Sequence, residues 1–286
     1  MFTGRFFIRR PLGMNLRNFL IREANPLESL HLVKEKTSFK RILQNNDIPT
    51  PQTYDEIHDF SDLVLIGSFP EEFVIKPNRG FGGKGIILLR REGDRFVNPS
   101  GDRFSDHDLK RHIRKILDGD FSGYIEKDIA IIEERIYPSE RLQFKNAYGL
   151  PDIRVLCFQA TPIMAMLRYP TFQSKGKANL AAGGIGIGID VDSGRPNYIH
   201  FKGTTDEPTL EDLEITETFV MPKWEEMKDI ASVCSRISNL GITGVDLILD
   251  ANDRIRVLEV NGRPGLEIQN INERSLLDKL NGYLHV

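Results

Sequence analysis

Three oxygen-bearing side chains lie close together near the end of the sequence. Asp246 belongs to one apolar, strand-like segment, and Glu259 and Asn261 belong to the next. If a two-residue turn at 251–252 joins the segments, Asp246 lies opposite Val257, a diagonal step from Glu259, and all three side chains share a face. Such hard oxygen ligands suit Mg2+, which takes further ligands from water and phosphates. The alternatives are solvated carboxylates or ion pairs with nearby arginines.

A glycine-rich loop is predicted at residues 80–85, which read GFGGKG, with Lys76 upstream and Lys84 inside. Glycine reaches positive φ, so the backbone N–H groups of residues such as Gly82 and Gly83 can cradle phosphate oxygens. A dinucleotide fold would need a helix after this spacing, but a strand follows. The Walker A pattern and the HRD and DFG motifs of protein kinases are absent from the sequence. The segment therefore predicts a phosphate-covering hairpin loop, or a plain turn with solvated lysines.

The elements that must position these groups follow from apolar periodicity. Helices are predicted over 33–45, 106–117 and 224–240, and strands over 73–76, 86–89, 129–132, 153–158, 163–168, 242–249 and 254–261. Residues 1–30 show little regular period. In the simplest pairing across a turn at 159–162, Arg154 and Arg168 point to opposite faces, which favours Arg168 for a site. Surface salt bridging is the alternative for both.

The composition limits the class of protein. With 286 residues, 40% of them hydrophobic, the chain can bury one large core or two smaller ones. Its net charge of −3 gives no general attraction to nucleic acid or to an anionic membrane. Two cysteines without metal-ligand spacing, and the lack of a membrane-spanning apolar run, predict a cytoplasmic protein. A basic presequence at residues 1–12 is an alternative to a solvated arm or a docking segment.

Together these segments resemble the ATP-grasp superfamily. The resemblance lies in Lys76 on a strand, the glycine-rich hairpin, EERI at 133–136, and GVD at 244–246 followed by EVNGRPGLE at 259–267. Within the superfamily the sequence is most similar to α-L-glutamate-ligase-like proteins, which are related to ribosomal-protein glutamate ligases. The segments that carry this similarity are PDIRVL at 151–156, MAMLR at 164–168, GKANL at 176–180 and the EVNGRPGLE segment.

The resemblance implies an α+β fold of the ATP-grasp type, in which two α+β lobes clamp ATP. It divides the chain into an N-terminal segment (1–32), an N-terminal lobe with the glycine-rich loop (33–134) and a C-terminal lobe with the metal site (135–286). By this resemblance, the short N-terminal segment would stand in place of the full α/β domain that usually precedes these lobes.

The resemblance also implies roles in nucleotide binding. Lys76 would contact the α-phosphate and adenine side, and the loop with Gly82, Gly83 and Lys84 would cover the β- and γ-phosphates. The backbone after Glu134 would receive adenine, and Glu140 would contact the ribose. The hinge that carries this backbone consists of Glu133, Glu134, Arg135 and Ile136.

At the metal site, the resemblance implies that Asp246, Glu259 and Asn261 hold two Mg2+ ions, for which Mn2+ could substitute. Arg168 and Asn179 would approach the γ-phosphate or the acyl group, and Arg154 is a third, less constrained catalytic candidate.

The implied activity is that of an ATP-dependent, ADP-forming carboxylate–amine ligase. Transfer of the γ-phosphoryl group to a carboxylate gives an acyl phosphate, which an amine attacks to form an amide; glutamate is one candidate amino acid. The alternatives are phosphotransfer or another acyl transfer on the same scaffold, and a non-catalytic ATP-binding module. We expect small carboxylate and amine substrates, or a peptide or protein acceptor, and leave a homodimer open.

Overall fold

The computed structural model describes residues 11–62, 68–80, 82–123, 127–145, 148–201 and 208–280. The chain forms two compact units. The central unit is Lys34–Tyr137, and the terminal unit combines Met1–Val33 with Pro138–Val286. None of the helices in the described ranges combines the length and hydropathy that a bilayer crossing requires.

In its described residues, the central unit is a six-stranded antiparallel sheet with two α-helices. In chain order its elements are α3 (Lys36–Asn45), β1 (Thr53–Ile57), β2 (Glu72–Pro77), β3 (Ile87–Glu92), β4 (Arg95–Val97), β5 (Arg103–Phe104), α4 (Asp106–Leu117) and β6 (Ala130–Glu134). The strand order is β1-β6-β2-β3-β4-β5. β2 and β3 pair antiparallel, with Val74 opposite Leu88, so the predicted hairpin around residues 80–85 is confirmed.

The core of the central unit lies under α4. A capping box of Ser105 and Asp108 begins this helix, and its apolar side chains Leu109 and Ile113 are fully buried. They belong to the same cluster as Phe73 on β2. The alternation of buried and partly exposed residues along β2 therefore directs Phe73 to the core and Lys76 away from it.

The terminal unit is a second six-stranded antiparallel sheet with five helices in the described residues. Its elements are α1 (Met14–Ala24), α2 (Leu27–Lys34), β7 (Asp152–Phe158), β8 (Thr161–Tyr169), β9 (Ile185–Ile189), β10 (Pro196–Phe201), α5 (Trp224–Ser238), β11 (Ile242–Leu249), β12 (Ile255–Asn261), α6 (Glu267–Ile271) and α7 (Leu276–Leu280). The strand order is β10-β9-β8-β7-β11-β12.

The N-terminal residues are more regular than their sequence indicates, because α1 and α2 occupy most of 14–34. The helix predicted to begin at residue 33 begins at Lys36, since α2 includes 33–34. Leu12 and Leu20 pack in one cluster with Leu276 and Leu280 of α7. This burial against distant residues, rather than a strong period of its own, explains why the segment is helical.

The turn of the β7–β8 hairpin differs from the prediction. Only Gln159 and Ala160 form it, both with positive φ as a type I′ turn requires. One extra residue in β8, Ile163, then shifts the register. The expected four-residue turn at 159–162 is therefore wrong, and the face assignment built on it changes with it.

The register of the β11–β12 hairpin also differs from the prediction. The turn has three residues, 251–253, with Asp253 at φ 55, and Leu247 rather than Asp246 lies opposite Val257. This slip alone would turn Asp246 away from Glu259. A bulge at Leu258 reverses the effect, and Asp246 pairs directly with Glu259.

Candidate functional site

The terminal unit gathers charged side chains on one face of its sheet. Asp246 on the inner strand β11 pairs with Arg154 of β7 on one side and with Glu259 of β12 on the other. Arg168 of β8 pairs with Asp152 of β7. We call Asp152, Arg154, Arg168 and Asp246 the carboxylate–arginine cluster.

Asp246 is the centre of this cluster. Arg154 donates from Nε and Nη2 to the two carboxylate oxygens of Asp246, both at 2.7 Å, and Arg168 donates from Nη2 at 2.8 Å. Arg168 Nη2 also donates to Asp152 Oδ2 at 2.7 Å. The expectation that the two arginines point to opposite faces is wrong, because the bulge in β8 brings Arg168 to the same face as Arg154.

The electrostatics of the cluster follow from burial and pairing. Burial raises the pKa of Asp246, but the charges of Arg154 and Arg168 outweigh it and hold this pKa below its ordinary value. Burial raises the pKa of Asp152 to about 6; the charge of Arg168 opposes this shift, and that of Asp246 adds to it. Burial also opposes the charged form of Arg168, but the two carboxylates raise its pKa. Asp246 therefore stays ionised at neutral pH.

Glu259 and Asn261 lie beside this cluster on the same face. Asn261 Nδ2 donates to Asp246 Oδ2 at 3.3 Å. No group of three or more His, Cys, Asp or Glu side chains that could hold a metal ion occurs among the described residues. Two carboxylates and one amide suit Mg2+ only when phosphate or water oxygens complete the set. Because Asp246 already accepts three charged hydrogen bonds, we expect this donor set to need those phosphates.

The central unit holds a second charged group, which we call the lysine–glutamate cluster. Glu133 of β6 accepts hydrogen bonds from Lys76 of β2 and, at 2.9 Å, from Lys40 of α3. Lys40 also donates to Thr53 Oγ1 at 2.7 Å. Burial opposes the ionised form of Glu133, but the charges of Lys76 and Lys40 hold its pKa below the ordinary value. Lys76 is thus fixed on the sheet by an ion pair.

The glycine-rich loop takes the backbone conformation that its sequence predicts. Gly82, Gly83 and Gly85 have φ of 64, 71 and 75. Lys36 Nζ donates to Gly80 O at 2.8 Å, and His112 of α4 contacts Gly85 O at 2.9 Å through Nε2. Burial lowers the pKa of His112. Since a carbonyl only accepts, Nε2 carries the proton of a neutral ring.

The remaining predicted nucleotide contacts lie at the end of β6 and after it. Glu134 accepts a hydrogen bond from Gln52 N at 2.9 Å, and Arg135 Nη1 donates to Glu72 Oε1 at 3.3 Å. Ile136 is buried. Of the other predicted contact residues, Lys84 and Glu140 are exposed. The side chain of Asn179 caps a short turn by accepting a hydrogen bond from Ala181 N at 3.0 Å.

Three residues that contact the predicted site residues or the glycine-rich loop escaped the sequence prediction. Asp152 carries a usable signal, because it stands two positions before Arg154 on a strand and must share its face. Lys40 and His112 stand on helices among other polar residues, and their sequence positions hold no sign that they meet Glu133 and Gly85.

Comparison with known proteins decides the family. The family model described as sugar-transfer associated ATP-grasp matches residues 15–283. The chain belongs to this family. The match confirms the predicted ATP-grasp fold, and the two antiparallel sheets with helices confirm the α+β class.

This ATP-grasp protein is also similar to individual proteins. It is 26% identical over 264 residues to the tetrahydromethanopterin:α-L-glutamate ligase of Methanocaldococcus jannaschii, covering 92% of this chain and 70% of the ligase. The biotin carboxylase of Campylobacter jejuni in complex with β,γ-ATP aligns with a TM-score of 0.56 and 12% identity, covering 91% and 48% of the two chains. The ATP-grasp ligase PsnB with a minimal precursor aligns with a TM-score of 0.44 and 12% identity, covering 91% and 62%. The chain thus spans less than two thirds of either solved protein.

Proposed function

We propose that this ATP-grasp protein is an ATP-dependent ligase that joins a carboxylate to an amine and releases ADP and phosphate. The γ-phosphoryl group of ATP passes to the carboxylate, and the acyl phosphate is attacked by the amine to give an amide. Glutamate is a candidate amino acid, because one relative is named as a glutamate ligase. The acceptor is an amine on a small molecule or on a peptide.

The carboxylate–arginine cluster is the observation that carries this proposal. Two guanidinium groups are held rigidly by Asp246 beside Glu259 and Asn261 on one sheet face. Phosphoryl transfer to a carboxylate concentrates negative charge, and fixed cationic donors stabilise such charge without reorganisation. Arg154 and Arg168 are therefore assigned to the developing charge of the acyl phosphate.

Asp246, Glu259 and Asn261 are assigned to Mg2+. The ion, when bound, neutralises phosphate charge and polarises the transferred group. Because the charge of Asp246 is shared with two arginines, we expect Mg2+ to bind well only together with nucleotide phosphates. Lys76 and the glycine-rich loop, with Gly82, Gly83 and Lys84, are assigned to the nucleotide itself, and Asn179 stays a candidate for the γ-phosphate.

The test is a matrix of carboxylates and amines incubated with ATP and Mg2+, with ADP measured by a coupled assay and products by mass spectrometry. Ligation predicts ADP release that requires both substrates, together with an amide product. Phosphate left on one acceptor without amide would replace the proposal by phosphotransfer. ATP binding without ADP release from any pair would favour a non-catalytic module.

Glu259→Gln separates the metal assignment from folding. The contacts that hold Arg154 and Arg168 involve Asp152 and Asp246, so this variant keeps the cluster and removes one candidate ligand charge. We expect at least a hundredfold loss of ADP release and no stabilisation by Mg2+ with nucleotide, on the order expected for a lost metal ligand. Glu225→Gln, at a side chain 79% exposed on α5, is the matched control. Undiminished turnover in Glu259→Gln would overturn the metal assignment.

A further inference from the structure

The N-terminal helices carry large apolar side chains that are exposed to water. Ten large hydrophobic side chains are exposed among the described residues, and four of them lie within residues 14–27: Met14, Leu16, Phe19 and Leu27. Phe19 is 49% exposed and Leu27 is 67% exposed. A single exposed apolar side chain is ordinary, but four so close together in the sequence indicate a surface that binds something.

These side chains form one continuous surface. Leu16 and Phe19 stand three residues apart on α1, so they are neighbours on the helix. Phe19 and Leu27 both line a groove of about 690 Å³ that α1 and α2 border, together with Arg22 and Leu30. The Arg22 guanidinium lies 5.4 Å from the centre of the Phe19 ring. We call Leu16, Phe19, Arg22 and Leu27 the α1–α2 surface.

The opposite face of α1 is fixed to the terminal unit. Leu20 is buried in a cluster with side chains of α6 and α7. Leu12, just before the helix, exchanges two hydrogen bonds of 3.0 Å with the side chain of Gln269. Arg17 donates from Nε to Pro264 O at 2.9 Å. The packing of this inner face therefore holds the α1–α2 surface outward.

The sequence that leads into this surface is basic. Residues 1–24 contain five arginines and one glutamate, so their net charge is +4 in a chain whose total is −3. The α1–α2 surface itself is close to neutral, because Glu23 pairs with Arg22 at 3.2 Å. Most of the excess comes from residues 1–10, MFTGRFFIRR, which lie outside the described residues and combine three arginines with three phenylalanines. Positive charge and aromatic residues thus directly precede an exposed apolar surface.

This combination matches the chemistry of an anionic lipid bilayer. Apolar side chains enter the headgroup region of a bilayer, and arginines are attracted to its negative surface. A nucleic acid would also attract the arginines, but its phosphates would leave Leu16 and Leu27 in water. The negative net charge of the whole chain does not oppose such binding, because salt screens charges more than about 10 Å away.

We propose that the α1–α2 surface and the basic residues that precede it bind the surface of an anionic membrane. The chain lies on the bilayer in this arrangement, with Phe19 and Leu27 at the level of the headgroups. The attachment is independent of the proposed ligase reaction, and it would place that reaction at a membrane surface.

The experiment is co-sedimentation of the full chain with sucrose-loaded vesicles, made either of phosphatidylcholine alone or of phosphatidylcholine and phosphatidylglycerol in equal parts. We expect binding to the mixed vesicles that weakens as salt is raised, and much weaker binding to the neutral vesicles. The double variant Arg9→Gln, Arg10→Gln should lower the partition coefficient about 10- to 30-fold, because each arginine at the surface contributes about fivefold. Its control, Arg103→Gln with Arg111→Gln, removes the same charge from side chains that are 69% and 63% exposed in the central unit, and should bind as the wild type does.

The apolar contribution is tested in the same assay by Phe19→Gln. We expect a loss of about three- to tenfold in the partition coefficient, because about half of this ring is available to leave water. Phe172→Gln, at a ring 80% exposed elsewhere in the terminal unit, is the matched control and should leave the coefficient unchanged.

Each result decides the proposal. Binding to the mixed vesicles that both test variants weaken and both controls keep supports it. Sedimentation of wild type without the mixed vesicles' help, or equal partitioning of wild type and either test variant, overturns it. A dimer in light scattering that Phe19→Gln dissociates, without vesicle binding, would assign the surface to a second copy of the chain instead. Melting of Phe19→Gln within about 1 °C of wild type excludes unfolding as the cause of a loss, as expected for an exposed side chain.

Discussion

Replacing Asp246 with Asn is expected to lower the free energy of unfolding of the terminal unit by about 3 kcal/mol. The Asp246 side chain is 5% exposed and accepts three hydrogen bonds from Arg154 and Arg168. Breaking a buried ion pair costs about 3–5 kcal/mol, because the remaining charge stays buried without a partner. We expect a cost at the lower end of this range for two reasons. Asp152 still neutralises Arg168 in the variant, and the side chain of Arg154 is 14% exposed, so water can solvate part of it.

Trp224 provides the assay. It is the single tryptophan, is buried in α5, and therefore reports unfolding of the terminal unit by its fluorescence. With a urea slope of about 2 kcal/mol/M, a loss of about 3 kcal/mol lowers the urea midpoint by about 1.5 M. Glu225→Gln, at a side chain 79% exposed on α5, is the control, and its midpoint should stay within about 0.5 M of wild type.

If the loss of stability in Asp246→Asn comes from the unpaired charge of Arg154, a second result is expected. The double variant Asp246→Asn, Arg154→Met removes the guanidinium that the first change leaves without its carboxylate, so part of the lost stability should return. A further loss in the double variant would contradict this explanation. An Asp246→Asn midpoint within about 0.5 M of wild type would refute the explanation through unpaired charge, since water would then be solvating the Arg154 guanidinium well enough to replace its carboxylate partner.

Two further predictions concern the central unit. Glu133→Gln removes the carboxylate shared by Lys40 and Lys76 and should cost about 3 kcal/mol in urea unfolding followed by circular dichroism. Burial opposes the ionised form of folded Glu133, but the lysine charges lower the pKa of this carboxyl group below its ordinary value. The contribution of Glu133 to the free energy of unfolding is therefore complete above about pH 4.3 and is lost as the pH falls through that lowered pKa. An identical acid profile for wild type and Glu133→Gln would contradict this pairing. His112→Leu removes the hydrogen bond to Gly85 O and should weaken ATP binding about 2- to 10-fold by calorimetry, whereas His112→Gln keeps an N–H donor and most of the affinity. Equal ATP affinity for His112→Leu and wild type would rule out a role of this contact in holding the loop.

The site was predictable from the sequence in its residue types and in the elements that carry them. Strands β11 and β12 were expected within one residue of their observed bounds, and the bounds of the helix expected at 106–117 are those of α4. Apolar periodicity and capping residues are local properties, which is why these predictions succeed. The positive φ values of Gly82 and Gly83 follow from residue type in the same way.

The faces of the strands were not predictable in this way. The hairpin turn formed by Gln159 and Ala160 contains no glycine or asparagine, the residue types that indicate positive φ values in a sequence. The bulges at Ile163 and Leu258 each insert one residue, and one residue inverts the face of everything beyond it. The agreement between the predicted and observed grouping of Asp246 with Glu259 therefore arose from a longer turn and a bulge that offset each other.

The sequence by itself determined that this chain carries oxygen-bearing side chains on paired strands, a glycine-rich loop with lysines, and the motifs of an ATP-grasp protein. Tertiary structure decided that Arg154 and Arg168 both bind Asp246, that Lys40 joins Lys76 at Glu133, and that Arg17 of α1 donates to the backbone of the loop after β12. The physical reason is the distance along the chain over which each effect acts. Periodicity and turn chemistry act over a few residues, whereas register shifts and the partners of buried charges are set by segments far apart in the chain.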